Sequence, residues 1–233
     1  MSSLAQAPVQ APVPANPWFS LDYLRDNTDA VVAATQQHVV LTTVSVALGL
    51  LLSVPLALLA RRLPRLRGPL VGLTGVLYTI PSLALFAVLA PVTGLTGTTV
   101  VIGLTAYTLL VLVRNVLTGL DGVPADVVEA ARGMGMGPGR LLLRVELPLA
   151  LPSVLAGVRI ATVSTVALVT VGVVVSNGGL GQLIFEGFNN NLYRAEIFTA
   201  TALCVALALV ADLLLIGLER LLTPWTRASG ARR

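Results

Sequence analysis

The sequence has 233 residues, of which 55% are hydrophobic and only 11% charged, and its mean hydropathy is +0.87. A soluble domain carries about a quarter charged residues, so this chain has too little polar surface for water, and a bilayer suits it. All 15 basic residues are Arg, which excludes a Walker A loop and a Schiff-base lysine, and the single Cys204 excludes an intramolecular disulfide.

The chain begins with a segment rich in Ala, Pro and Gln, residues 1–17. It lacks the basic and apolar regions of a cleavable signal, so we expect a disordered tail. A lead-in at residues 18–34 holds Trp18, Phe19 and Tyr23. These aromatics favour either a short helix at the outer membrane interface or a partly ordered segment, and the sequence leaves both open.

Five segments are apolar enough, over about 20 residues each, to cross the hydrocarbon layer as helices. They lie at about residues 38–60, 69–90, 98–117, 152–175 and 197–217. The sequence therefore predicts an all-α, polytopic protein with five transmembrane helices. Small residues, among them Gly68, Gly72 and Gly75, recur in these segments and predict close packing between helices.

Arginines are distributed unevenly among the connections between the predicted helices. The connections after the first, third and fifth helices are basic, whereas the other two carry no charge or one arginine. Because basic loops stay in the cytoplasm, the N-terminus is predicted outside and the C-terminus inside. The net charge of +4 could suggest that the protein binds nucleic acid, but its arginines lie beside apolar segments rather than on a polar face, which argues against this. The basic connections contain Arg61, Arg62, Arg65, Arg67, Arg132, Arg140, Arg144, Arg220, Arg227, Arg232 and Arg233.

The connection at residues 121–151 contains a short amphipathic helix. Pro124, Asp126 and Glu129 favour its start, and the glycines and proline at residues 133–139 favour its end. A helix of about two turns needs a surface to pack on, either a groove in a partner or neighbouring helices of the same chain. Its apolar face follows helical spacing and consists of Val127, Ala130, Ala131 and Met134.

The same connection resembles the EAA loop of ABC-transporter permeases of the binding-protein-dependent importer type (type I). The family pattern is Glu-Ala-Ala, three residues, Gly, nine residues, Ile, one residue and Leu-Pro. This sequence has that spacing, with Val in place of Ile, at Glu129, Ala130, Ala131, Gly135, Val145, Leu147 and Pro148.

This resemblance implies the fold and the assembly of the family over residues 35–220, followed by a cytoplasmic tail at 221–233. The loop helix would be the coupling helix, which docks in a cleft of a nucleotide-binding subunit, and Glu129 would be a docking and capping residue. The implied partners are two ATPase subunits, a second permease subunit (identical or paralogous), an extracytoplasmic substrate-binding protein and membrane lipid. ATP and Mg²⁺ would bind to the ATPase, so we expect neither a cofactor nor enzymatic activity in this chain of the bacterial plasma membrane.

Other stretches resemble permeases for quaternary-ammonium osmoprotectants: glycine betaine, choline and carnitine. They are Tyr-Thr-Ile-Pro-Ser-Leu-Ala at residues 78–84, Val-Arg-Asn and Thr-Gly-Leu within 113–120, and Gly-Gly-Leu-Gly at 178–181. The chain departs from that subfamily at Val111, where proline is usual, and at residues 176–177, where Gly-Ala is usual. Because the third and fourth spans line the pathway in this fold, an amino acid, taurine or nitrate stays open as an alternative solute.

Several residues are candidates for the pathway or for structural support. Arg159 and Asp212 stand at similar depth in two spans, where either an ion pair or a snorkelling arginine is expected. No cluster of acid, base or metal ligands indicates an enzyme, since His38 is the only histidine. A passive channel would fit the hydropathy but would not need the loop. The other candidates are Thr79, Pro81, Ser82, Tyr107, Arg114, Asn115, Ser164, Gly179 and Gly181.

Overall fold

The structure is a computed structural model that describes residues 16–176 and 178–225. Nearly all of the predicted N-terminal tail, the end of the C-terminal tail and Asn177 lie outside these residues. Within them, the chain is helical and has no β-strand. The helices are α1 (Leu21–Asp26), α2 (Thr28–Arg62), α3 (Pro64–Thr79), α4 (Ser82–Thr93), α5 (Gly97–Asp121), α6 (Ala125–Gly133), α7 (Pro138–Val174), α8 (Leu180–Asn189) and α9 (Arg194–Leu222).

Four of these helices, α2, α5, α7 and α9, are each long and apolar enough to cross a membrane. Each covers one predicted span, to within one residue, and extends beyond it at one end or both. The central helix is α5, which packs against α2, α3, α4 and α7. Its buried side chains include Leu104, Leu112, Val116 and Leu120. By contrast, only four residues of α9, all near its start, are buried in the single chain, as expected of a helix that faces lipid or another subunit.

The second predicted span, residues 69–90, is not one straight helix. It is divided between α3 and α4, which meet at an angle of 97° around Ile80 and Pro81. Proline has no N–H to continue the helical ladder, and it disfavours helical geometry in the residue before it. Ile80 accordingly has an extended backbone, with φ −66° and ψ 128°.

The bent pair nevertheless passes from one side of the molecule to the other. Arg67, near the start of α3, lies 2.6 Å from Asp121 at the end of α5. Thr93, at the end of α4, lies 2.6 Å from Thr99 at the start of α5. With 25 residues, α5 is about 37 Å long, so these contacts lie at opposite ends of a helix long enough to cross the hydrocarbon layer. Together, α3 and α4 therefore run from one end of α5 to the other, as a fifth crossing requires.

The fourth predicted span, residues 152–175, is the later part of a longer helix. The helix starts at Pro138 and continues to Val174, with a π-helical turn at Leu142–Glu146 and a final 3₁₀ turn. The N–H of Leu147 donates to the carbonyl of Leu142, five residues back. Since Pro148 has no N–H, the helix adapts by widening this turn rather than by ending. Pro152, expected at the start of the span, lies inside α7.

The two sides of the molecule differ in composition. The basic end holds the connection between α2 and α3, the loop with α6 and the end of α9. The aromatic end holds the lead-in, α8, which the sequence did not predict, and the start of α9. The rings of Tyr23 and Tyr193 meet edge to face at 5.6 Å, and burial raises the pKa of the Tyr23 phenol. The members of the aromatic end are Trp18, Phe19, Tyr23, Phe185, Phe188, Tyr193 and Phe198.

The lead-in is ordered against the start of α9. It contains α1, and the guanidinium of Arg194 stacks over Trp18, 5.0 Å from the ring centre. The side-chain amide of Asn16 donates to the carbonyl of Leu192 and accepts from the N–H of Arg194. Of the two alternatives that the sequence leaves open, the structure therefore has the short helix.

Small residues bring some helices close together, but not those of the glycine series in α3. A Cβ atom on Gly157 would lie 2.5 Å from the Cβ atom of Asn115, so this glycine allows α5 and α7 to approach closely. Gly68, Gly72 and Gly75 have no atom of another element within 4 Å of that position. The predicted close packing at these three glycines is therefore not found within the described part of the chain.

Candidate functional site

The candidate functional site is the loop at the basic end that presents α6. Pro124 precedes the helix with an extended backbone, and Asp126 lies in the first turn, where a carboxylate is favourable near the positive end of the helix dipole. The nine residues of α6 pack against the first turns of α7. The helix thus projects from the long helices, as the loop composition predicts.

The apolar face predicted for α6 is divided between two environments. Ala131 is 2% exposed and faces the chain itself, and its carbonyl accepts from the N–H of Met136. Val127, Ala130 and Met134 are exposed, Met134 to 72%. At 100° per residue, these three lie within about 60° of each other around the axis. We therefore correct the face: Ala131 belongs to the inner contact, and the other three form the outward face.

Gly135 ends this helix in a conformation that suits glycine. Its φ is +78°, and its N–H donates to the carbonyl of Arg132 at 2.9 Å. No neighbouring atom lies within 4 Å of the position of a Cβ atom. The requirement for glycine is therefore one of backbone conformation, not of space.

The last three residues of the loop motif lie on α7 rather than in a loop. Val145 belongs to the π turn, and Leu147 and Pro148 begin the α-helical part that follows. All three are partly buried, and Leu147 packs on a core that includes Ala57, Val116 and Ala150. The motif thus has two parts. Glu129, Ala130 and Gly135 are exposed, whereas the residues on α7 anchor the loop to the long helices.

Arg159 and Asp212 form an ion pair between α7 and α9. Arg159 Nε donates to Oδ1 at 2.8 Å, and Nη2 donates to Oδ2 at 3.2 Å. Glu219, which the sequence did not indicate, adds a third member, with its Oε2 atom 3.5 Å from Arg159 Nη1. Of the two alternatives open for Arg159, the structure has the pair, as expected where charges lie among apolar segments.

The break between α3 and α4 is held by two tyrosines. The hydroxyl of Tyr107 on α5 donates to the carbonyl of Ile80, which the break has freed. The Tyr78 ring meets the Tyr107 ring edge to face at 5.8 Å. The Thr79 hydroxyl donates to the carbonyl of Val76. Pro81 and the partly buried Ser82 begin α4, so four of the candidates meet at one bend.

The remaining candidates are dispersed. Asn115 donates to the carbonyl of Val111 and packs on Gly157, Arg114 is exposed on α5, and Ser164 is partly buried in α7. The φ of Gly179 is +65°, and a Cβ atom on Gly181 would collide with the backbone of Thr170. The contacts of Asn115 and Gly181 join neighbouring elements of the same chain, and a role of these five residues in the pathway stays a prediction.

His38 joins three elements in a way that the sequence did not indicate. Its Nε2 atom lies 3.0 Å from the carbonyl of Val166, and its Nδ1 atom accepts from the N–H of Leu180 at 3.2 Å. Both bonds are satisfied when the proton is on Nε2, so α2 is tied to α7 and α8. The only available signal was a single histidine in an apolar segment.

Among the described residues, no group of three or more His, Cys, Asp or Glu side chains could hold a metal ion. Four membrane-length helices, with α5 at their centre, a bent helix pair and a short helix exposed at the basic end define a multi-pass membrane protein with a protruding loop helix.

Comparison with known proteins identifies the family of this membrane protein. The model of the family described as "Binding-protein-dependent transport system inner membrane component" matches residues 46–228, so the chain belongs to that family. It is a multi-pass transport component of the bacterial inner membrane.

Named relatives match over most of their length. The choline transport system permease protein OpuBB of Bacillus subtilis is 35% identical and covers 88% of this chain and 94% of its own. The osmoprotectant import permease protein OsmW of Salmonella typhimurium is 37% identical, over 88% and 97%. The carnitine transport permease protein OpuCB of Listeria monocytogenes is 36% identical, over 87% and 92%.

Solved structures share the fold. A chain of the MetNI methionine ABC transporter in an inward-facing conformation has a TM-score of 0.77 at 22% identity, covering 85% of this chain and 98% of its own. A chain of an amino acid ABC transporter has a TM-score of 0.67 at 18% identity, covering 86% and 98%. At these identities, the likeness supports the fold of ABC-importer permeases and nothing about the solute.

Proposed function

We propose that this chain is the permease subunit of an ATP-driven importer for small quaternary-ammonium osmoprotectants: glycine betaine, choline or carnitine. The observation that carries the proposal is the exposed α6, held at the basic end by a family motif. The solute class is supported by the named relatives OpuBB, OsmW and OpuCB, which transport choline, osmoprotectants and carnitine by name.

The proposed assembly contains two such permeases, identical or paralogous, two ATPase subunits and an extracytoplasmic binding protein. The basic end faces the cytoplasm, because positively charged connections are retained there. The outward face of α6, together with Glu129, docks in a groove of the ATPase, as amphipathic helices do. ATP and Mg²⁺ are bound by the ATPase. Closure of the ATPase pair displaces α6, and the helices alternate between access to the two sides of the membrane.

Uptake by the reconstituted complex tests this proposal. The permease is purified with its ATPase subunits, placed in liposomes and supplied with binding protein. We expect uptake of at least one of glycine betaine, choline and carnitine, dependent on both ATP and the binding protein. Uptake of an amino acid, taurine or nitrate, but none of these three, would overturn the solute class. Absence of ATP-dependent uptake of every solute would overturn the importer function.

A further inference from the structure

Four charged side chains form a cluster at the basic end, which we call the clasp. Arg61 stands in the last turn of α2, Arg67 near the start of α3, Asp121 at the end of α5, and Glu146 in the π turn of α7. Arg61 Nη2 donates to Glu146 Oε1 at 3.0 Å, and Arg61 Nε lies 3.8 Å from Asp121 Oδ1. Arg67 Nη2 donates to Asp121 Oδ2 at 2.6 Å.

The clasp holds both ends of the segment that carries α6. Asp121 is the last residue of α5 before this segment, and Glu146 lies where α7 turns into its transmembrane part. The guanidinium of Arg61 contacts both carboxylates, and the planar donor group of arginine is suited to holding two acceptors at once. A displacement of the segment must therefore carry α2 with it or break these ion pairs.

Glu146 is the buried member of the clasp. Its side chain is 10% exposed and lines a cavity together with Leu142 and Leu58. A carboxylate in such surroundings needs a cation, because removal of its partner leaves an uncompensated charge. The π turn occurs at this point of α7, and single π turns are frequent at functional sites. The Arg61–Glu146 ion pair consequently links α2 directly to α7.

A cavity of about 250 Å³ separates the clasp from the inner side of α6. It is lined by Arg61, Glu146, Arg132 of α6 and the first residues of α7. Because this space is not filled by side chains, α6 and α2 are not joined here by apolar packing. The clasp instead joins α2 to the ends of α5 and α7, the two helices between which the α6 segment runs.

We infer that Arg61 is a positioning residue of the transport cycle, which transmits displacement of the docked α6 segment into α2 through the clasp. This inference rests on the proposed function. At its other end, α2 carries His38, which bonds to α7 and to the start of α8. Movement received at Arg61 thus reaches the aromatic end through one continuous helix.

The test is the number of solute molecules imported per ATP hydrolysed by the reconstituted complex, with radiolabelled glycine betaine. For Arg61→Gln we expect ATPase subunits to copurify and hydrolyse ATP, while uptake per ATP falls about tenfold, within the usual range of coupling between sites. Arg61→Gln combined with Glu146→Gln should lose little more than Arg61→Gln alone, because both single changes break the same ion pair. The matched control is Arg65→Gln, an exposed arginine on the neighbouring helix, which should leave the ratio unchanged.

A merely structural brace would lower the amount of complex but not uptake per ATP, so a wild-type ratio in Arg61→Gln would overturn the inference. Losses of the Arg61→Gln and Glu146→Gln single variants that multiply in the double variant would also overturn it. If Arg61→Gln prevents assembly, Arg61→Lys is measured instead, because lysine keeps the charge but not the planar donor group. We expect an intermediate uptake per ATP for this variant. A wild-type ratio would count against the clasp. Absence of uptake by the wild-type complex would instead refute the proposed function.

Discussion

Two positions of the loop motif require a small residue, each for a different structural reason. Ala131 is buried against its own chain, so a larger side chain would collide with the first turns of α7. Gly135 has open space around it but a φ of +78°. In this loop, one position is therefore limited by volume and the other by backbone conformation.

Gly135→Ala should weaken docking of the ATPase. An L-residue in the left-handed region costs about 1–2 kcal/mol, which corresponds to roughly a 5- to 30-fold loss of the loop conformation. Titration of the purified permease with ATPase subunit measures the change in affinity. Gly135→Asn should lose less, because asparagine tolerates this region.

The control for that experiment is Gly137→Ala. Gly137 lies two residues further along the same loop, has φ −70° and ψ 163°, and also has open space around it. The Gly137→Ala permease should bind the ATPase with the affinity of the wild type. Equal affinities for the two alanine variants would mean that the turn at Gly135 does not determine docking.

Charged residues within the apolar helices have partners that are distant in sequence. Arg159 meets Asp212, which is 53 residues away, and Glu219. Glu146 meets Arg61, which is 85 residues away. The sequence indicates that such charges need partners, but several arginines and acids are available, and only the fold selects among them.

At the scale of elements, the prolines of this chain have different effects. Pro55 lies inside α2, which continues past it, whereas Pro81 accompanies a 97° bend and Pro148 a π turn. All three remove an N–H from the helical ladder. Their surroundings differ: at the bend, Tyr107 binds the freed carbonyl of Ile80, so the broken geometry is stabilised by another helix.

The outward face of α6 should be the part of this element that contacts the ATPase. Ala130→Asp places a charge in that face and should abolish copurification of the ATPase and reduce ATP-driven uptake by at least about tenfold, since interface hot spots cost 2 kcal/mol or more. Pull-down of a tagged ATPase and the uptake assay measure both effects.

Ala125→Asp is the matched control, with the same substitution in the same helix. Ala125 is exposed and lies about 140° around the axis from Ala130. It is also the first helical residue, where a carboxylate is favourable. Loss of copurification in both variants would show general damage to the loop, and retention in both would contradict docking through this face.

At the scale of the whole molecule, the two ends predict an orientation. Arginines are concentrated at the basic end and aromatic side chains at the other, as in proteins with basic cytoplasmic loops and interfacial aromatics. The bent pair α3–α4 contributes a crossing, which brings the number of crossings to five. With an odd number of crossings, the start of α2 and the end of α9 lie on opposite sides of the membrane. The N-terminus is therefore proposed outside and the C-terminus inside.

Cysteine labelling tests this orientation and the fifth crossing together. In a Cys204→Ser background, Leu95→Cys and Leu63→Cys each introduce a thiol at an exposed connection on one side of the bent pair. A membrane-impermeant maleimide should label the Leu95 variant in intact spheroplasts, and the Leu63 variant only after permeabilisation. Labelling of both only after permeabilisation would indicate a re-entrant loop, and the reverse pattern would indicate the inverted orientation.

The sequence by itself determined the membrane as solvent, the five apolar segments and the loop motif, because hydropathy and motif spacing are properties of neighbouring residues. The all-helical fold and the permease family predicted from them are confirmed. Only the tertiary structure decided that the second span bends, that α7 begins at Pro138, that Ala131 faces inward, and that Arg61 joins Asp121 to Glu146. These features depend on contacts between residues far apart in the chain, where the same local signal has several possible partners, and packing of the helices around α5 selects one.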